Sequence, residues 1–260
     1  MRPGFGRGVS PGEIVLEDAW RAFSIRADRG RTLKELVIGR RAASGPPPVE
    51  ALRGVSLRIE PGETVGMVGR NGAGKSSTLR VLAGIVPLHA GSVAVGGQVV
   101  TQLELGAGFS RDFSGLENIY LSGALHGLSR QQIESRLGAI IEFSELGDFI
   151  HAPVATYSTG MFLRLGFAIA AHLDADVLLI DEVLAVGDEA FQRKCEARMA
   201  EQIAAGATLV LVSHDALLIE RTCARLVVLD GGEKVFDGPV EEGMPFYHRL
   251  MGTEDAVPSP

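Results

Sequence analysis

The chain has 260 residues, 46% of them hydrophobic and 22% charged, which is enough to bury the core of one large domain or of a domain with a subdomain. A net charge of −7 excludes a general nucleic-acid binder, and no apolar run approaches the roughly 18 residues that would span a bilayer. The start MRPGFGRGVSPGE does not read as a secretory signal, so a cytosolic protein is expected. Cys195 and Cys223 stand in helical text rather than at metal spacing, and are expected as buried, reduced thiols.

Ile14-Val15-Leu16 reads as a short strand, followed by Trp20-Arg21-Ala22-Phe23. Phe23 suits either an adenine face or core packing. In the stretch from Arg26 to Arg41, Leu33, Leu36 and Val37 share one helical face and Thr32 can cap with Glu35. Such a short basic amphipathic helix fits an anionic headgroup surface or plain solvent. Ser44-Gly45-Pro46-Pro47-Pro48 ends it, because consecutive prolines cannot be helical. Ala51 to Ile59 then alternates as a half-exposed strand, and Glu60-Pro61-Gly62-Glu63 turns into the next one.

Gly69-Arg70-Asn71-Gly72-Ala73-Gly74-Lys75-Ser76 follows the apolar run Val65 to Val68 and precedes a helical pattern, so it sits at a strand-to-helix junction. Glycines let the backbone curl until successive N–H groups point at an anion, and the helix beginning at Lys75 adds its positive end. A triphosphate suits this loop. Lys75 would reach the β- and γ-phosphates, Ser76 would place its hydroxyl on Mg²⁺, and Ser77 or Thr78 would touch the α-phosphate. After Gly84 and Pro87, the stretch Gly91 to Val100 reads as a hairpin turning at Gly96-Gly97.

From Leu105 to Ala171 the hydrophobic period becomes helical, which places a helical insertion inside an α/β core. One helix starts at Leu116, a second follows the capping pair Ser129 and Gln132, and a third runs from Met161 to His172. Ahead of the third, Ser158 or Thr159 is a plain N-cap, or Ser158, Thr159 and Gly160 offer exposed N–H groups to a phosphate. Val177-Leu178-Leu179-Ile180 is a strand buried on both faces that delivers Asp181 and Glu182 to its carboxyl end, where open parallel sheets bind ligands. Asp181 suits Mg²⁺ held through water, and Glu182 suits orienting and deprotonating an attacking water; two solvated acids are the bland alternative. Asp188 caps the helix that carries Phe191, Cys195 and Met199. The strand Thr208 to Val212 brings His214 to the same sheet edge, where an imidazole can hydrogen-bond a γ-phosphate. Arg225 to Leu229 and Lys234 to Phe236 form a hairpin around Asp230-Gly231-Gly232, and a short tail follows Pro239.

Assembled, these motifs resemble the ATP-binding subunit of an ABC transporter over nearly the whole chain. Gly69 to Ser76 is similar to Walker A, Leu178 to Glu182 to Walker B, Ala185-Val186-Gly187-Asp188 to the D-loop, and His214 to the switch histidine. Tyr157-Ser158-Thr159-Gly160-Met161 departs from the usual L-S-G-G-Q signature and resembles the polysaccharide-export branch, whose members move O-antigen, teichoic acid or related lipid-linked glycans. The resemblance implies an α/β P-loop NTPase core with an antiparallel β subdomain over residues 14–103 and 174–238. It also implies a gate-helix insertion at 26–45, a helical subdomain at 104–173 and a short tail at 239–260.

It further implies that ATP is the nucleotide and Mg²⁺ the metal. Glu182, His214 and Lys75 would be catalytic, and Ser76, Asp181 and Glu104 would hold the metal, Glu104 standing where a Q-loop glutamine is expected. The nucleotide would be held by Phe23, Gly69, Asn71, Gly72, Ala73, Gly74, Lys75, Ser76 and Ser77, and by Ser158, Thr159, Gly160 and Asp188. Two subunits would pair head to tail around two ATP molecules at the cytoplasmic face of the plasma membrane, on a polytopic permease, with a lipid-linked glycan near the gate helix Thr32 to Arg41. No nucleic acid is expected, and the chain length leaves no room for the C-terminal carbohydrate-binding domain of some relatives. A subunit of another ABC transporter, or a soluble ABC ATPase, is the alternative; an L-S-G-G-Q signature would favour the former and long coiled coils or tandem cassettes the latter.

Overall fold

The computed structural model describes residues 8–23, 48–101, 105–106, 108–181 and 187–252. Six strands build the central sheet in the order β5-β6-β7-β3-β8-β9. They are β3 (Thr64–Gly69), β5 (Val99–Thr101), β6 (Val177–Asp181), β7 (Thr208–Val212), β8 (Arg225–Asp230) and β9 (Glu233–Pro239). Neighbours from β5 to β8 run parallel and β9 is antiparallel on β8. β7 is buried at all five positions, and β6 at every position but Asp181, as expected of β-branched and leucine-rich strands covered on both faces. A second, three-stranded antiparallel sheet has the order β2-β1-β4, from β1 (Ile14–Phe23), β2 (Val49–Ile59) and β4 (Ala90–Val95).

Helix α1 (Lys75–Leu82) follows β3 and packs Leu79 and Leu82, both fully buried, into the core between the two sheets. Burying each such side chain contributes about 2 kcal/mol. The opposite face of the central sheet is covered by α5 (Glu189–Ala204), α6 (Ala216–Thr222) and α7 (Val240–Met251) through Met199, Leu218, Ile219 and Met244. A third cluster belongs to the helical part, with α2 (Gly115–Leu125), α3 (Arg130–Ser144) and α4 (Thr159–Ala171), and Phe143, Phe167 and Phe191 meet at its centre. Phe191 is carried by α5, so the helical part is joined to the core through an aromatic contact.

Two expectations are corrected. β1 is not a three-residue strand but extends to Phe23. Asp18 adopts φ 43 and interrupts the alternation, while pairing with β2 and β4 carries the strand past the irregularity. Residues Gly91 to Val100 are not a hairpin: β4 pairs with β1 in the small sheet, whereas β5 pairs in parallel with β6 in the large one. Gly96-Gly97 is the crossing between sheets, held by backbone bonds from Gly12 to Gly96 and from Gly96 to Glu13, and by the Asp176 carboxylate, which accepts from the Gln98 amide at 2.6 Å. The tail after Pro239 begins as the twelve-residue helix α7, whose apolar side lies on β8 and β9; Phe246 stacks on Phe236 with centroids 5.4 Å apart.

The hairpin at Asp230-Gly231-Gly232 forms as expected, with Gly231 and Gly232 both at positive φ (53 and 87). Its tip reaches two other elements: the Gly232 amide donates to the Ala73 carbonyl at 3.2 Å, and the Gly232 carbonyl accepts from the Arg53 amide at 2.8 Å. Ser129 and Gln132 form the expected capping box. A second box, Ser114 with Glu117, starts α2 and was not anticipated. The whole 26–45 insertion, including the gate helix Thr32 to Arg41, lies outside the described residues.

Candidate functional site

The loop between β3 and α1 wraps a cavity of about 430 Å³ whose lining includes Asn71, Gly72, Ala73, Gly74, Lys75, Ser76 and Ser77. Gly74, at φ 107, is required here: a β-carbon would fall on the Ala51 carbonyl oxygen. Gly69 is equally constrained, because a β-carbon would strike the Leu229 carbonyl of the adjacent strand. Backbone and helix end thus converge on one concave space, which is how fixed partial positive charge is presented to an anion.

Lys75 is 8% exposed, and its ammonium donates to the carbonyls of Gly69 (2.7 Å) and Arg70 (3.1 Å). Burial pulls its pKa down, an effect that the Asp181 carboxylate partly opposes. The loop therefore holds a cation paired only with carbonyl dipoles and a nearby acid, an arrangement that favours an incoming polyanion. Across the cavity stand Asp181, at the end of β6, Val212 at the end of β7, and His214 just beyond it. Val212 and Asp181 are register partners, so adjacent parallel strands bring the acid and the imidazole to one edge. Asp215, next to His214, caps α6 by accepting from the Leu218 amide at 3.2 Å.

The remaining expected residues lie elsewhere. Phe23 is half-buried beneath the Arg21 guanidinium, 4.8 Å from its ring centroid, and pairs with Val49, which does line the cavity. Ser158 is the N-cap of α4, accepting from the Met161 amide at 3.2 Å, and Thr159 and Gly160 are exposed beside it. These three belong to the helical part and not to the cavity lining. Asp188 caps α5 as expected, accepting from the Phe191 amide at 2.9 Å and pairing with Arg164 at 3.1 Å. Hydrogen bonding from Phe191, then the charge of Arg164, holds its carboxyl below the usual range despite some desolvation. Glu182 and Glu104, with Ala185 and Val186, lie outside the described residues.

Sequence reasoning missed Val49 and Ala51 as cavity-lining residues, although their position just after the proline run was visible. It also gave Arg164 no role, and Arg70 none either, although the Arg70 guanidinium donates to the Leu250 carbonyl at the end of α7 at 2.8 Å.

The donor set fits Mg²⁺. Ser76 and Asp181 both line the cavity and supply hard oxygen atoms, and magnesium bound with a nucleotide takes few protein ligands, leaving the rest to phosphate and water.

Residues 52–185 match the ABC transporter family. The chain belongs to that family. Its core is the family's ATPase cassette, an α/β fold with an antiparallel sheet and an inserted helical part, as the motifs implied. Among curated relatives, the O-antigen export system ATP-binding protein RfbB of Myxococcus xanthus is 44% identical over 225 residues, covering 84% of this chain and 52% of that one. RfbB of Klebsiella pneumoniae is 43% identical over 201 residues, covering 77% of this chain and 82% of that protein. The teichoic acids export ATP-binding protein TagH of Lactiplantibacillus plantarum is 40% identical, covering 78% of this chain and 56% of that protein. The chain thus spans about half the length of the Myxococcus relative.

Two solved structures share the fold of this ABC subunit. One is the ATP-binding subunit of an ABC transporter, with a TM-score of 0.70, 22% identity, and coverage of 94% of this chain and 95% of that one. The other is a dimeric, post-hydrolysis ATP-binding cassette bound to ADP and Pi, with a TM-score of 0.69, 18% identity, and coverage of 87% of this chain and 98% of that one. Among the described residues, no helix is long and apolar enough to cross a membrane.

Proposed function

We propose that this ABC subunit binds and hydrolyses ATP, and that the cycle drives export of a lipid-linked polysaccharide through a partner permease at the cytoplasmic face of the plasma membrane. The observation that carries the ATPase reading is the single cavity in which Lys75, Ser76, Asp181 and His214 converge around a glycine-cradled helix N-terminus. The export reading is supported by relatives named for O-antigen and teichoic acid export at 40–44% identity.

Each residue acts on the phosphates by position and charge, which is where phosphoryl transfer gains its rate. Amides of Asn71 to Ser77 and the Lys75 ammonium hold the β- and γ-phosphates. Ser76 and Asp181 would hold Mg²⁺, which would supply positive charge against the charge that develops in the reaction. His214 donates a hydrogen bond to a γ-phosphate oxygen. Glu182 takes a proton from the attacking water. Phe23 stacks on the adenine, and Glu104 supports the metal side. Ser158, Thr159 and Gly160 stand outside the cavity of their own chain, so they serve the nucleotide of a second copy, arranged head to tail with two ATP molecules between the subunits and Asp188 near their junction. The gate helix Thr32 to Arg41 meets the glycan's anionic headgroup.

Turnover and light scattering of the Glu182→Gln variant in MgATP test this reading. The variant is expected to bind nucleotide as wild type does, to stop hydrolysing it, and to accumulate as a dimer. Near-normal steady-state hydrolysis by the variant would overturn the proposal. In cells lacking the subunit, lipid-linked glycan is expected to remain inside and to be exported again on complementation with wild type but not with Lys75→Ala.

A further inference from the structure

Arg164 lies six residues after Ser158, inside α4, with its side chain only 19% exposed. Its guanidinium reaches three segments at once. One terminal nitrogen donates to Glu145 at 2.8 Å, and the other donates to Asp188 at 3.1 Å. The flat face covers the buried Phe191 ring, 4.7 Å from its centroid. Glu145 is the C-cap of α3, held in the left-handed region at φ 55 and paired a second time with Lys194 at 3.1 Å. Asp188 and Phe191 open α5. Gly187 has φ 76, and a β-carbon there would approach the Arg164 Nε at 3.2 Å and Phe191 at 3.3 Å. Glycine therefore lets the guanidinium lie flat against the backbone.

Gly187 and Asp188 are reached from Asp181 through only five residues, 182–186. The near end of that connection is set by β6, where Asp181 pairs in register with Val212; the far end is set by the cap at Asp188 and by Arg164.

We propose that Arg164 is a positioning residue that locks the helix bearing Ser158 to Gly160, which serves one nucleotide, onto the far end of the connection leaving Asp181, which serves the other, so that the two nucleotide sites of the pair move together. This rests on the ATPase reading above. A lysine would keep the charge but could not fork between Glu145 and Asp188 while lying on Phe191, so charge alone is not sufficient. Arg164 touches neither the cavity nor the phosphate loop, and so nucleotide affinity and turnover respond separately.

The test compares Arg164→Lys and Glu145→Gln with wild type in nucleotide affinity, melting temperature, kcat and KM. Arg164→Lys is expected to retain melting temperature, affinity and KM, and to lose kcat by about tenfold or more, as loss of alignment at a reacting site does. Glu145→Gln, which removes one support of the fork and leaves the Asp188 cap untouched, is expected to lose less. Turnover of Arg164→Lys within twofold of wild type overturns the proposal, and so does a parallel fall in melting temperature, affinity and turnover. If wild type binds MgATP without hydrolysing it, the functional reading fails instead. The lock is then read from amide exchange: nucleotide-induced protection in α4 is present in wild type and absent in Arg164→Lys, and equal protection in both overturns it.

Discussion

Replacing Lys75 with methionine separates what this residue does for the fold from what it does for the ligand. In the protein without nucleotide, the ammonium is 8% exposed and satisfied only by the carbonyls of Gly69 and Arg70, and burial already depresses its pKa. An apolar side chain of similar length gives up two hydrogen bonds but also removes a desolvated charge, terms of about 1–3 kcal/mol each that oppose one another. Unfolding without ligand is therefore expected to shift little. With ligand the outcome differs. A charge-assisted contact to phosphate is worth roughly 3–4 kcal/mol, a factor of about 10² to 10³ in affinity. At a concentration of MgATP 100 times the wild-type dissociation constant, binding stabilises wild type by about 2.7 kcal/mol and the variant by no more than ~0.4 kcal/mol. For a domain of this size 1 kcal/mol moves the midpoint by about 2–4 °C, so MgATP should raise wild-type Tm by about 5–11 °C and the variant's by ~1 °C. Thermal unfolding monitored by circular dichroism with and without MgATP reads both numbers. A ligand-induced shift in Lys75→Met equal to that of wild type would refute the reasoning.

Asp237 carries a pH prediction. Burial alone would raise its pKa, but hydrogen bonds from Arg225 and Lys234 outweigh this and hold it below the usual carboxylate range. A folded-state value below the unfolded one means that the carboxylate stabilises the fold at pH above about 4 and that this stabilisation fades as pH falls through the folded value. Asp237→Asn should therefore cost about 1–3 kcal/mol at pH 7 and flatten the acid limb of a urea-midpoint series; an unchanged limb counts against the pairing. The two cysteines carry another. Burial pushes both thiols, Cys195 and Cys223, up to about 12 from the ordinary value of 9.0. The native protein should resist a thiol reagent at pH 8 until urea opens it, and stability should fall as pH rises from about 9 towards 12, because only the unfolded thiols then ionise. Rapid labelling without denaturant would contradict this.

The phosphate loop was legible because its chemistry leaves little choice: backbone approaching an anion needs glycine, as Gly74 against the Ala51 carbonyl demonstrates. Asp181 and His214 were legible for a related reason, since buried strands in a parallel sheet end at one edge and both residues follow unbroken apolar runs. The crossing at Gly96-Gly97 was misread because a glycine pair between two alternating runs is equally compatible with a hairpin and with a change of sheet. What decides is the partner of each run, Ile14 to Glu17 for one and Val177 to Leu179 for the other, which local sequence does not carry. The extension of β1 was hidden for the same reason: Asp18 breaks the alternation, and only pairing on both sides restores it. Arg164 was passed over because its partners, Glu145 and Asp188, stand 19 and 24 residues away in opposite directions, beyond any helical period.

The turn at Gly231-Gly232, about 160 residues from the phosphate loop in sequence, touches that loop directly. Through the amide and the carbonyl of one residue, Gly232, it bonds both to the phosphate cradle at Ala73 and to the strand contributing Ala51, so the small sheet, the large sheet and the cradle are riveted at a single point. A residue that demands negative φ at position 232 would loosen that rivet, and its signature would be weakened grip on nucleotide from a change made far away in sequence.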